Sequence, residues 1–221
     1  MACRKLLKLI FLAFTVAISG CEDRLQESQE TNMDKRSYAE TFNSSLVSAK
    51  SKLKQKRAHL LRNSLAKILA MPPQQLCLEL GRLPCTDVVH QVSLGEMDAY
   101  GKAQYEYSEH TPVTAPISLD RLVLSACSTR ASLDIINTKQ AVIFKDLDLS
   151  PDGRIARDDA FYQAIERLYH RALLREPKPR EVQLLEQLYI DIYEREPIGA
   201  ARNWALLSCY TVLSSVEFVF Y

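Results

Sequence analysis

From Asp158 to Tyr221 the chain is cut by prolines into runs whose apolar residues recur at the helical period, and no other feature constrains the fold as much. Between Ala160 and Arg175 the residues Phe161, Ile165, Leu168, Tyr169, Ala172 and Leu173 fall on one face, and Pro177 ends the run. Pro179 suits a first helical position and opens Pro179 to Glu194, with Val182, Leu185, Leu188, Tyr189 and Ile192 inward. Pro197-Ile-Gly199 breaks the chain again before Ala200 to Tyr221, where Trp204, Leu207, Tyr210 and Leu213 keep the spacing. Val216, Phe218, Val219 and Phe220 make so apolar an end that it must be buried.

Upstream, Ser118 is a candidate N-cap, and Leu119, Leu122, Val123, Ala126, Leu133 and Ile136 give a helical face up to Asn137. Gln140 to Leu149 then alternates in part, through Val142, Phe144, Leu147 and Leu149, as a short strand does. Residues 74–116 are less regular: Gly81-Arg-Leu-Pro84 reads as a turn, and Tyr100, Tyr105 and Tyr107 either line a binding surface or roof the core. From Tyr38 to Ala70 there is no Gly or Pro, and Phe42, Leu46, Leu53, Leu60, Leu61, Leu65 and Ile68 predict one long helix, stopped by Pro72-Pro73. The fold class predicted is mainly α: an irregular helical bundle with a long N-terminal helix and a small β-hairpin or EF-like loop. Its parts are a leader over 1–20, a tether over 21–36, a basic helix over 37–71 and a helical domain over 72–221.

The start of the chain says where such a domain works. Arg4, Lys5 and Lys8 precede the apolar run Leu9 to Ile18, which ends in Ser19-Gly20-Cys21. About ten apolar residues are too few to span a bilayer, which needs about twenty. Aliphatic-Ser-Gly-Cys resembles the lipobox of bacterial lipoproteins. The resemblance implies cleavage before Cys21, a diacylglycerol on its sulfur and acylation of its new amino group; two or three acyl chains anchor durably where one binds marginally. Glu22 is not the inner-membrane retention residue Asp, so the expected location is the outer membrane, periplasmic face. The polar residues 22–35 read as the tether. Loss of Arg4, Lys5 and Lys8 with the leader takes three positive charges from a formal net charge of +1, so no global charge argument for nucleic acid survives.

An even set of cysteines beyond Cys21, namely Cys77, Cys85, Cys127 and Cys209, favours disulfides in an oxidising compartment. The preferred pairing is Cys77–Cys85, around Gly81 and Pro84, with Cys127–Cys209 tying two helices. The alternative leaves Cys127 and Cys209 as buried thiols.

Between Lys50 and Lys67 there is no acidic residue, and Lys50, Lys52, Lys54, Lys56 and Arg57 form the candidate surface for an acidic envelope partner or lipid headgroups. A solvated helix face is the plainer reading. Asp148-Leu-Ser150-Pro-Asp152-Gly153-Arg154-Ile-Ala-Arg-Asp-Asp159 resembles an EF-hand loop. Asp148, Ser150, Asp152, the Arg154 carbonyl and Asp159 stand at its ligand positions for calcium, a possible cofactor. Pro151 is unusual there and Asp159 replaces the long bidentate Glu, so a hairpin with its turn at Pro151-Asp152-Gly153 and Asp158 capping the next helix competes with it.

Nothing in the sequence points to an enzyme. Glu166 and His170 are one helical turn apart without a visible third ligand, Ser125-Ala-Cys127-Ser128 lacks the glycines of a nucleophile elbow, and no Walker or dinucleotide fingerprint occurs. Arg167-Leu-Tyr-His-Arg-Ala-Leu-Leu-Arg-Glu-Pro177, Pro179-Arg-Glu181 and Ser214-Ser-Val-Glu217-Phe-Val-Phe-Tyr221 look like the C-terminal helical region of large cytochrome-associated proteins of planctomycete-type bacteria. That family implies no activity to carry over, and Cys85 with His90 is not the Cys-x-x-Cys-His of covalent haem. The function expected is a membrane-anchored periplasmic lipoprotein serving as a non-enzymatic binding or scaffolding component, or alternatively a calcium-dependent binding module.

Overall fold

The computed structural model describes residues 53–107 and 110–221, and the fold is mainly α with one small antiparallel hairpin. Cys21, Lys50 and Lys52 lie outside the described residues.

The first described helix, α1, runs Ala58–Leu69 and buries Ala58, Leu61, Leu65, Ile68 and Leu69. It does not continue back through the basic run as the sequence predicts. Gln55 instead bridges Phe220, and Arg57 is extended (φ −73°, ψ 169°). The Lys54 N–H donates to the Tyr221 carbonyl and the Tyr221 N–H to the Lys54 carbonyl, both at 3.0 Å; the Lys56 N–H donates to Val219 at 2.9 Å. Like charges four apart, as at Lys52 and Lys56, weaken a helix. The C-terminal backbone offers Lys54 and Lys56 a ladder in its place.

Helix α1 ends at Ala70 in the left-handed region. Its last carbonyls, which have no partner within the helix, are taken by two arginines from distant helices. Arg171 donates to Ile68 at 2.6 Å and Lys67 at 3.1 Å, and Arg130 to Leu69 at 3.2 Å.

Strands β1 (Leu78–Glu79) and β2 (Leu83–Pro84) pair antiparallel, with Leu78 opposite Pro84 and Glu79 opposite Leu83. Between them Leu80 and Gly81 both have positive φ (53° and 71°), the pairing of signs that a tight hairpin turn demands. A π-helical turn, Cys85–Val89, follows, and its closing bond runs from the His90 N–H to the Cys85 carbonyl.

Helix α2 is Ala115–Ile136. It starts before the predicted cap because Pro116 occupies its first turn, and Ser118 is a buried helical residue whose hydroxyl meets that of Ser93 at 2.7 Å. Its buried face also departs from expectation: Arg130 and Asp134 lie inside, whereas Ile136 is 80% exposed. Gln140 to Leu149 is not a strand. Asp134, buried to 2% exposure, accepts from the backbone N–H groups of Val142 (2.9 Å), Ile143 (3.2 Å) and Phe144 (3.1 Å) and pairs with Arg130 at 2.6 Å. A carboxylate thus meets the backbone donors that a neighbouring strand would otherwise have to meet.

Helix α3 (Asp159–Leu173) is capped by Asp158, whose Oδ1 accepts from Ala160 and Phe161. Helix α4 (Pro179–Arg195) starts on its proline, with the Glu181 side chain reaching back to the Lys178 N–H at 2.6 Å. Helix α5 (Ala200–Leu213) follows Gly199, and the short α6 (Val216–Val219) is capped by Ser215. Helix α5 is central and packs on α2 and α4. Its buried stripe runs through Ala201, Trp204, Ala205, Ser208 and Cys209, leaving Leu207 and Tyr210 half-buried, because the small residues let α2 approach closely. Trp204 stacks on Phe161 at 4.6 Å and donates its indole N–H to Leu185 at 2.8 Å. The Cys127–Cys209 disulfide joins α2 to α5, and Cys77–Cys85 spans the hairpin base.

Candidate functional site

The described part of the basic segment is drawn onto the domain. Lys56 Nζ lies 4.1 Å from the Phe218 ring centroid and Arg57 sits 4.1 Å over Tyr107. Burial lowers the pKa of Lys56 from its ordinary value. The absence of acids in the local sequence does not persist in space, since Asp87 pairs with Arg62 and Glu96 with His59. Lys54 is exposed.

Arg57 joins this segment to the tyrosine loop. Tyr100 (104% exposed), Tyr105 (71%) and Tyr107 (42%) do not roof the core and lie on the surface. The loop is held at its base: the Asp98 and Gln104 backbones pair, and Gln91 donates to the Met97 carbonyl at 2.8 Å. Tyrosine and arginine present wide, amphipathic contact area on few rotatable bonds, which suits them to recognition.

At 148–159 the chain forms the turn and the cap, but no strands flank the turn and the expected hairpin is not there. The Asp148 carboxylate accepts from the Ser150 N–H at 3.1 Å, and hydrogen bonds from Ser150 hold it below the usual carboxylate range. The Gly153 N–H donates to the Ser150 carbonyl at 2.9 Å. A Cβ on Gly153 would stand 2.5 Å from the Asp148 carbonyl oxygen, so glycine is required here by close approach of backbone. Asp159 lies in the first turn of α3. The ligand atoms of Asp148, Asp152 and Asp159 do not gather within 4.8 Å of one another. Lys139 and Lys145 share an open cleft of about 740 Å³ with Asp148 and Ser150, which opposes a cation there. The Arg154 side chain turns toward Tyr193, 5.1 Å away. Glu166 and His170 are both exposed on α3.

One set of ligand-type side chains does converge among the described residues. Cys77 Sγ, Cys85 Sγ and a Glu79 carboxylate oxygen lie within 4.8 Å of one another. Cys77, immediately before β1, is two residues from Glu79, which puts both on one face of the extended chain. Cys85 stands opposite Cys77, its N–H donating to the Cys77 carbonyl at 3.1 Å. His90 Nε2 is 3.0 Å from Glu79 Oε1, and Arg121 donates to Glu79 Oε2 at 2.8 Å. The sequence joined the two cysteines but missed Glu79, since only the pleat and the π turn bring it to His90.

The charged residues quoted for the C-terminal resemblance form a joint. Arg175 grips Glu181 through two bonds (2.8 and 2.7 Å) and Glu217 through two more (2.7 and 2.8 Å). The Arg175 guanidinium pulls the Glu181 carboxyl down to about 2 and lowers Glu217, while its own pKa rises. Arg167 donates to the Ile143 and Lys145 carbonyls, both at 2.9 Å. These are packing contacts between helices and loops.

No protein-family model matches the chain, and comparison with curated proteins and with solved structures returns no match.

Proposed function

We propose that this chain is a lipid-anchored protein of the bacterial envelope whose disulfide-tied helical domain is a non-enzymatic binding or scaffolding component. The observation that carries the anchor is Ile18-Ser19-Gly20-Cys21 at the end of a basic-then-apolar leader. Glu22 favours the outer membrane, on its periplasmic face. Recognition is assigned to the exposed tyrosine loop, Tyr100, Tyr105 and Tyr107, with Arg57 seated over Tyr107, and to the exposed Lys54 three residues before Arg57. Its charge selects an envelope protein with an acidic face, and its exposed rings supply the apolar contact.

Two measurements on intact cells test this. An alkyne fatty acid should label the wild-type chain and fail to label Cys21→Ser; equal labelling of both removes the anchor. A photo-crosslinking residue at Tyr100 or Tyr105 should capture a discrete acidic envelope protein, and Lys54→Glu should diminish that product. Crosslinks indistinguishable from those placed at exposed Leu184 on α4 would remove the surface.

A further inference from the structure

The structure assigns to Cys77, Cys85, Glu79 and His90 a second state: a zinc-binding site that opens when the Cys77–Cys85 disulfide is reduced. Three of the four ligands already stand together, and His90 lies against Glu79 just outside them, so it must turn toward the sulfurs to complete the set. Both sulfurs and a Glu79 oxygen fall within 4.8 Å of one another, and His90 Nε2 is 3.0 Å from Glu79 Oε1. Two thiolates, an imidazole and a carboxylate make the tetrahedral mixed-ligand set that zinc takes in closed sites. The cysteine Cα atoms are 5.5 Å apart, so separating the sulfurs about a common ion needs side-chain rotation more than backbone movement.

Placement of His90 is not incidental. The π-helical turn, a feature found often at functional sites, folds residue 90 back over residue 85 through the bond from the His90 N–H to the Cys85 carbonyl. His90 is 9% exposed, Cys77 7% and Cys85 1%, so a bound ion would be shielded from water. Charge also balances. Two thiolates, a carboxylate and Zn²⁺ leave one negative charge, and the Arg121 guanidinium 2.8 Å from Glu79 Oε2 offsets it. Arg121 holds one carboxylate oxygen of Glu79 and so fixes the carboxylate, as supporting partners of metal sites do, while His90 exchanges its contact with the other oxygen for the ion.

The reaction balances as follows. A dithiol reductant passes two electrons and two protons to the S–S bond, which breaks into two thiols, while the reductant closes its own disulfide. Zn²⁺ then replaces both thiol protons, which leave to solvent. Oxidation reverses the exchange and expels the ion, so the hairpin holds either a disulfide or a metal.

The test uses the full chain and Co²⁺ as a spectroscopic substitute for zinc. After reduction with a phosphine and its removal, the wild type should bind one Co²⁺ with the intense visible absorption of tetrahedral thiolate coordination, and Zn²⁺ should bleach it. The unreduced chain should give no such signal. Cys77→Ser/Cys85→Ser should abolish it, and His90→Ala should weaken binding tenfold or more with an unchanged circular dichroism spectrum. Absence of the signal in the reduced wild type overturns the proposal. So does a signal that survives in Cys77→Ser/Cys85→Ser, which would place the metal on Cys3, Cys21, Cys127 or Cys209, and so does undiminished binding by His90→Ala.

Discussion

The two disulfides enclose very different lengths of chain, and their contributions to stability should differ accordingly. Cys127 and Cys209 are 82 residues apart, and Cys77 and Cys85 are 8 apart. Entropy removed from the unfolded chain grows with the logarithm of loop length, giving about 4.5 kcal/mol for the long loop and about 2.5 kcal/mol for the short one. All four sulfurs lie in the core, at 0% exposure for Cys127 and Cys209, 1% for Cys85 and 7% for Cys77. Truncation to alanine therefore adds a similar cavity cost to each pair, and subtraction leaves the loop difference. Cys127→Ala/Cys209→Ala should be less stable than Cys77→Ala/Cys85→Ala by about 2 kcal/mol, or roughly 4–8 °C in Tm for a domain of this size. Scanning calorimetry of both variants beside the wild type, with metal chelated throughout, measures the gap. If the short-loop variant melts at the same temperature or lower, chain entropy does not govern these bonds.

Asp134→Asn should cost about 3–5 kcal/mol, because it leaves the buried Arg130 without its counter-ion and removes acceptors from the 142–144 backbone; denaturant melts measure this. Leu174 closes α3 in the left-handed region (φ 56°) while 87% exposed, so Leu174→Gly should stabilise by about 1 kcal/mol and raise Tm. Glu181 titrates near 2 when folded against 4.5 ordinarily. The stability it adds is whole above pH 4.5 and drains away as pH falls toward 2, and Glu181→Gln should flatten that part of the Tm profile. Calorimetric titration with calcium at about 1 mM, the weak end of known calcium modules, should show no heat; a saturable heat lost in Asp148→Asn would restore the EF-like reading.

The helices from Asp158 to Leu213 were legible because prolines mark their starts or ends, but the single run read from Ala200 to Tyr221 is broken at Ser214-Ser215, where a serine cap and no proline starts α6. The preferred cysteine pairing was read from parity and spacing, but that left Cys127 and Cys209 equally readable as buried thiols until α2 and α5 were seen side by side. Elsewhere the sequence misled where a tertiary partner outbid local preference. Leu53 to Arg57 carries no helix breaker, yet the backbone of Val219 to Tyr221 holds it extended. Arg130 and Asp134 look like surface charges in a helical pattern, and their burial follows only from carbonyls and amides on other segments. The tyrosines could be read either way until their exposure was known. Cys77, Glu79, Cys85 and His90 meet only once the hairpin and the π turn exist.

The pairing of Lys54 with Tyr221 makes the described domain a ring in topology, with its two ends hydrogen-bonded side by side. Such a chain is a natural subject for circular permutation: a few residues bridging Tyr221 to Leu53 would close it, and the exposed turn at Leu80-Gly81 or the αL link at Leu174 could be opened in exchange. Any fusion carried after Tyr221 emerges beside Lys54, so both junctions lie side by side on the domain.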